Sequence, residues 1–79
     1  MKTQYQKVLE VMQYNRNQWK PAHYYVGVRE GIDGKTFLSY KAPARLSEIY
    51  REFDLIIDRK KELRRGSTYY CYKLNRKIK

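Results

Sequence analysis

Ser39-Tyr40-Lys41-Ala42-Pro43-Ala44-Arg45-Leu46-Ser47-Glu48-Ile49-Tyr50-Arg51-Glu52-Phe53 is the stretch on which the reading of the fold turns. Ala42, Leu46, Ile49 and Phe53 recur at intervals of four, three and four, the spacing that lines one stripe of an α-helix. With about 100° between successive residues, Ala44, Ser47, Glu48 and Arg51 fall on the opposite face, flanked by Lys41 and Arg45. Pro43 suits the first turn, where its missing N–H has no partner to lose, and Ser39 is a candidate cap. Small residues in the outward face let the backbone come close to a partner, and the basic margins favour an anionic one. Taken alone, such a helix is most simply an amphipathic element with a solvated face. The segment that follows changes that reading.

Asp54-Leu55-Ile56-Ile57 leads into Asp58–Leu63, a break at Arg64-Arg65-Gly66-Ser67, and Thr68–Leu74. Two β-prone runs around a short Gly-containing loop predict a β-hairpin. Pairing outward from Arg65-Gly66 sets Leu63 against Thr68, Lys61 against Tyr70, Arg59 against Tyr72 and Ile57 against Leu74. The alternate face carries Glu62 with Tyr69, Lys60 with Cys71, and Asp58 with Lys73. One face is thus apolar near its base and the other polar with an opposite-charge pair, which makes the register self-consistent. Lys60, Lys61, Arg64 and Arg65 cluster near the tip. A helix with basic margins followed at once by a basic hairpin is the layout of a winged-helix DNA-binding domain, with the hairpin as the wing.

The chain has 79 residues, enough for one domain spanning residues 1–79. So small a domain buries only roughly 60% of its unfolded-state surface, and twelve aromatics, nine of them Tyr, compensate with large buried areas. The single Cys71 rules out an intramolecular disulfide and a cysteine-based zinc site, in keeping with a reducing cytoplasm. No run approaches the roughly 18 apolar residues of a membrane span and no signal peptide stands at the start. A soluble, cytoplasmic protein is expected. The net charge of +10, from 18 Lys and Arg against 8 Asp and Glu, points to nucleic acid as the partner. No basic helix is left over with a bulky apolar face for a membrane surface.

Toward the N-terminus, Thr3-Gln4-Tyr5-Gln6 has the spacing of a capping box. Tyr5, Val8, Leu9 and Met12 form the apolar stripe of a scaffold helix over about Gln4–Tyr14, ended by Asn15-Arg16-Asn17 with Asn in a left-handed conformation. Trp19 is expected to be buried against this helix. Residues 21–28 admit two readings. Pro21 can open a short second helix closed by Gly27; alternatively Tyr24, Val26 and Val28 alternate as in a strand, with Asp33-Gly34 turning Val28–Ile32 onto Lys35–Ser39. The helix is preferred because a helix-turn-helix needs one there. Thr36-Phe37-Leu38 then becomes a short strand against the base of the wing, and Asn75–Lys79 a frayed basic tail.

Catalytic patterns are missing. His23 has no metal-ligand partner at a suitable spacing, no serine sits in a nucleophile elbow, and no glycine motif cradles phosphate. The chain is expected not to be an enzyme and to take no cofactor, metal or small-molecule substrate.

Tyr40-Lys41-Ala42-Pro43-Ala44-Arg45-Leu46-Ser47-Glu48-Ile49, then Leu55-Ile56-Ile57 and Tyr70-Cys71-Tyr72-Lys73-Leu74, resemble the small winged-helix proteins of bacteriophages and prophages. In those a recognition helix carrying Ala-Arg-Leu/Ile-Ser-Glu-Leu precedes a strand and a Tyr-x-Tyr-x-Leu hairpin. The resemblance covers roughly the C-terminal half and departs at Pro43 and at the Gly-containing loop before the helix. It implies duplex-DNA binding in a phage or mobile-element setting, in the bacterial host cytoplasm. The expected fold is α+β, a winged helix-turn-helix of three helices and a C-terminal hairpin wing, with the third helix in the major groove. Lys41, Arg45, Ser47, Glu48 and Arg51 are its candidate groove contacts. Lys60, Lys61, Arg64 and Arg65 of the wing would touch backbone, and Tyr40 and Lys35 would add to them. Two rivals stand beside this: a winged-helix module docking on a host or phage protein, suited to surplus exposed Tyr, and an RNA binder whose aromatic rings stack on unpaired bases. They differ in where the positive charge lies.

Overall fold

Thr3 caps the first helix as its spacing requires. Its Oγ1 accepts from the Gln6 amide at 3.2 Å and the Gln6 side chain accepts from the Thr3 amide at 2.9 Å. The helix, α1, runs Gln4–Tyr14 and buries Val8, Val11 and Met12. Asn15 ends it, folding its side-chain amide back onto the Val11 carbonyl at 2.9 Å, and Asn17 takes the left-handed conformation at φ 68°. The computed structural model describes residues 2–77; Ile78 and Lys79, the end of the expected frayed tail, lie outside them.

The chain continues through β1 (Lys20–Pro21), a 3₁₀ turn at Ala22–Tyr24, β2 (Gly27–Gly31) and β3 (Gly34–Leu38). A second 3₁₀ turn, Ala42–Ala44, leads directly into α2 (Arg45–Glu52), and β4 (Ile57–Arg64) and β5 (Ser67–Leu74) complete the fold. The described residues therefore hold two α-helices and five strands in two antiparallel sheets, β1-β5-β4 and β2-β3. The class is α+β, but the expected three-helix winged helix-turn-helix is not formed. In place of its second helix stand one 3₁₀ turn and the β2-β3 hairpin.

The physical reason lies in residues 24–34. The alternation of Tyr24, Val26 and Val28 is a strand signal, and preferring a helix there set it aside. The observed turn is Ile32-Asp33, with Gly31 opposite Gly34, Val28 opposite Phe37 and Glu30 opposite Lys35. Gly34 follows the turn at φ 110°, the left-handed place that closes a longer hairpin loop and that a side chain resists. A turn at Asp33-Gly34 differs from this by two positions in partner, which keeps every side chain on its face. Thr36-Phe37-Leu38 accordingly belongs to β3 and pairs with β2; the strand beside the C-terminal hairpin is β1, with Lys20 opposite Tyr72 and Pro21 opposite Cys71.

The 39–53 stretch forms as read, except at its start. Ala42, Leu46 and Ile49 are buried and Phe53 packs at the edge of the same core. Pro43 sits in the 3₁₀ lead-in and Ser39 does not cap α2: its Oγ accepts from the Lys41 amide at 3.3 Å, outside the helix. Every residue pair anticipated for the C-terminal hairpin is present, from Ile57–Leu74 to Leu63–Thr68, and the ladder runs one pair further, to Arg64–Ser67. The two-residue turn places both Arg65 (φ 51°) and Gly66 (φ 81°) at positive φ, the twist that joins adjacent strands. Ile57, Tyr72 and Leu74 are buried at its base together with Tyr25 and Leu38.

Leu46, almost wholly enclosed between α1 and the sheet base, sets the first test. Leu46→Ala is expected to lower the unfolding free energy by about 2–5 kcal/mol, read as a lower urea midpoint; an unchanged midpoint would mean that α2 packs by another face.

Candidate nucleic-acid interface

The excess positive charge has a definite location. Residues 1–56 carry nine basic side chains against six acidic ones, whereas Ile57–Leu74 carries six against two. The β4-β5 ribbon is therefore the most basic of the regular elements. Its first strand is also open to solvent, exposed or half-exposed at every position after Ile57.

Strand alternation divides the ribbon into two faces. On the inner face, beyond the buried Ile57, Tyr72 and Leu74, lie Arg59, Lys61 and Tyr70. The Arg59 guanidinium is held between two rings, 4.4 Å from the Tyr50 centroid on α2 and 4.6 Å from that of Tyr70. Lys61 reaches over Tyr70 at 5.8 Å. The outer face holds Lys60, Glu62, Arg64, Cys71, Tyr69 and Lys73. Here Trp19, 37% exposed, has Lys60 Nζ 4.5 Å and Lys73 Nζ 5.1 Å from its ring. His23 meets Tyr69 edge-to-face at 5.4 Å. Trp19 is thus not packed into the core against α1, as its type suggested, but lies on the sheet.

Two carboxylates share this surface and both are locally occupied. Glu62 pairs with Lys60 at 3.1 Å, and Asp58 accepts from the Asn75 amide at 2.8 Å. Among the described residues no carboxylate reaches Arg59, Lys61, Arg64, Arg65 or Lys73 within ion-pair distance. Cations that face water without a counter-charge are the ones a polyanion meets at least cost.

The helix contrasts with this. Arg45, Ser47, Glu48 and Arg51 do share the exposed face of α2, but Arg45 Nε is bound to Glu48 at 3.0 Å, and Glu52 accepts a hydrogen bond from the Tyr5 hydroxyl. A cleft of about 290 Å³ beside them is lined by Glu48, Arg51 and Glu52, two acids to one base. Tyr40 and Lys41 precede the helix, in the connection after β3; both are exposed, with Lys41 over the Tyr40 ring at 5.8 Å. Lys35 lies on β3, opposite Glu30. The eleven expected contact residues therefore fall into three groups, Lys35, Tyr40 and Lys41 ahead of α2, four on α2 and four on the wing, and the wing set is itself divided, Lys60 on one face of the ribbon and Lys61 on the other. Arg59, Lys73, Trp19, Tyr50, Tyr69 and Tyr70 were not among them. The sequence signal for Arg59 and Lys73 was the hairpin register itself, which assigns each a face.

Other chemistry is sparse. No cluster of His, Cys, Asp or Glu suited to a metal ion occurs among the described residues, and no described helix is long and apolar enough to cross a membrane. No family model matches the chain, and no curated protein and no solved structure matches it.

Cys71 gives this surface a chemical reporter. It is 7% exposed beside Pro21 and Lys60, and burial pushes its thiol above the usual range, Glu62 adding to this. Less thiolate at a given pH means slower alkylation. Iodoacetamide at pH 8 is expected to modify native Cys71 far more slowly than the urea-unfolded chain, followed by intact mass; equal rates would show that the outer face of the sheet does not close over this residue.

Proposed function

We propose that this chain binds nucleic acid, and that the β4-β5 ribbon rather than α2 is its principal contact. The observation that carries the reading is the concentration of unneutralised cations on the ribbon: Arg59, Lys61, Arg64, Arg65 and Lys73 against a charge-balanced helix face. Released counterions supply most of the free energy of such contacts. Arg59, held between Tyr50 and Tyr70, presents its planar guanidinium with less rotamer freedom to lose than an unrestrained side chain has. The width of a two-stranded ribbon also fits a major groove, so a duplex-DNA partner, as the resemblance to phage proteins implied, remains compatible with the ribbon as reader. A cytoplasmic setting in a bacterial host belongs to the same reading, and the protein acts by binding, without catalysis or cofactor.

A second reading has its own observation. On the β2-β3 hairpin Val28 and Phe37 face each other across the strands and are 58% and 60% exposed, with Ile32 and Tyr40 also exposed. An apolar pair of this size on a free sheet face suits a protein partner. None of these four side chains lies on the ribbon, so the two activities are separable.

Salt dependence tests the first reading. Lys61→Gln with Arg64→Gln is expected to make the slope of log K against log salt shallower by about one unit per lost phosphate contact. Arg45→Gln with Arg51→Gln on α2 should leave it close to wild type. The reverse pattern, measured by fluorescence anisotropy on labelled oligonucleotides, would return the interface to the helix; no binding of any oligonucleotide at low salt would end the reading.

A further inference from the structure

We infer that the outer face of the β1-β5-β4 sheet is a stacking platform for single-stranded nucleic acid, with Trp19 at one end and the Tyr69–His23 pair at the other. This rests on the nucleic-acid reading above and names the form of ligand.

The platform follows from register. Lys20 pairs with Tyr72 and Pro21 with Cys71, so one step before β1 Trp19 stands beside Lys73, and two steps after Pro21 His23 stands beside Tyr69. Both extrapolations agree with measured contacts, 5.1 Å from Lys73 Nζ to the indole and 5.4 Å between the His23 and Tyr69 rings. Alternation puts Trp19, Pro21 and His23 of the first strand, Lys73, Cys71 and Tyr69 of the second, and Asp58, Lys60 and Glu62 of the third on a single face. The helices lie on the other side, where Ile57, Tyr72 and Leu74 are buried. From Lys73 to Tyr69 is four residues along a strand, about 13 Å at roughly 3.3 Å each. The face between is made of Pro21 and the buried Cys71, which keep it low and apolar.

An aromatic ring on a sheet face with an ammonium group over it can exchange that cation for a base, the lysine swinging aside to the neighbouring phosphate. Both Lys60 and Lys73 lie over Trp19, and Lys73, which no carboxylate among the described residues reaches, is the one free to pass to a phosphate. In a duplex the bases are already stacked on each other and leave nothing for a ring to cover, so these rings discriminate for unpaired strands. The acids do not oppose it: Glu62 is paired to Lys60 and Asp58 is bonded to Asn75. On this face Lys73 and, toward the turn, Arg64 have no carboxylate within ion-pair distance among the described residues, and they supply the positive charge for one polyanionic strand lying along β5.

The chain has one tryptophan, so its fluorescence reports this site directly. Wild-type protein is titrated with a single-stranded oligo-dT, an oligo-U of equal length, and a duplex. Both single strands are expected to quench Trp19 and to bind with similar affinity, because the platform contains nothing arranged to read a 2′-hydroxyl; the duplex should leave the fluorescence nearly unchanged. Trp19→Ala should weaken single-strand binding by roughly 5- to 150-fold, the range for one lost base stack, with little change toward duplex. Trp19→Phe, which retains a ring, should recover most of the loss, and circular dichroism of both variants checks that they fold. Single-strand binding that neither quenches Trp19 nor depends on it, or an equal loss toward duplex, overturns the platform while leaving the nucleic-acid reading intact. Failure of every oligonucleotide to bind the wild type overturns both.

Discussion

The antiparallel pairing of Ile57–Arg64 with Ser67–Leu74 does two jobs along its length. At its base Ile57, Tyr72 and Leu74 enter the core between α1 and α2, burying apolar surface that so short a chain needs. Beyond the Lys60–Cys71 pair the strands have left the core, and the same ladder continues with its side chains exposed or half-exposed. Backbone hydrogen bonds, not side-chain burial, hold that outer part, so its side chains are free to be charged. The Arg65-Gly66 turn keeps the ladder in register, and a slip of one residue would turn Ile57, Arg59 and Lys61 outward and drive Asp58, Lys60 and Glu62 to the core side.

This arrangement explains how a chain of net charge +10 tolerates a thin core. Like charges repel, and on a small domain the repulsion subtracts from a stability of only about 5–15 kcal/mol. Carrying much of the excess on the exposed part of the ribbon keeps those cations in water, where their repulsion is screened, instead of in the core. Rings then spread some of the charge: Arg59 lies between Tyr50 and Tyr70, and Lys60 and Lys73 lie over Trp19. A polyanion bound to the ribbon removes the remaining repulsion, and by linkage a ligand that binds only the folded state stabilises it.

Much of this was legible from local signals. Thr3 and Gln6 are three residues apart and cap one another, Ala42, Leu46 and Ile49 share one helix stripe, and the C-terminal hairpin register followed from alternation about Arg65-Gly66. Segments whose structure depends on distant partners were harder. β1 has only two residues and exists because it pairs with β5, some fifty positions away, so neither its strand character nor the surface position of Trp19 shows in neighbouring residues. Residues 21–28 were drawn toward a helix by an expectation about the whole fold, against the alternation of Tyr24, Val26 and Val28. On α2 the Arg45–Glu48 pair is a local one that its i,i+3 spacing already offered, whereas Tyr5 binding Glu52 emerges only once the helices are packed.

The central claim is that the ribbon and the sheet it belongs to, rather than the helix face, meet the ligand. Backbone amide chemical-shift mapping during titration with a short single-stranded oligonucleotide tests it without altering the protein. The account predicts that the largest shifts fall on residues 19–23, 58–65 and 67–73, with Ser47, Glu48 and Arg51 of α2 nearly unmoved. Shifts concentrated on α2, or on Val28 and Phe37 of the β2-β3 hairpin with the ribbon silent, would contradict it.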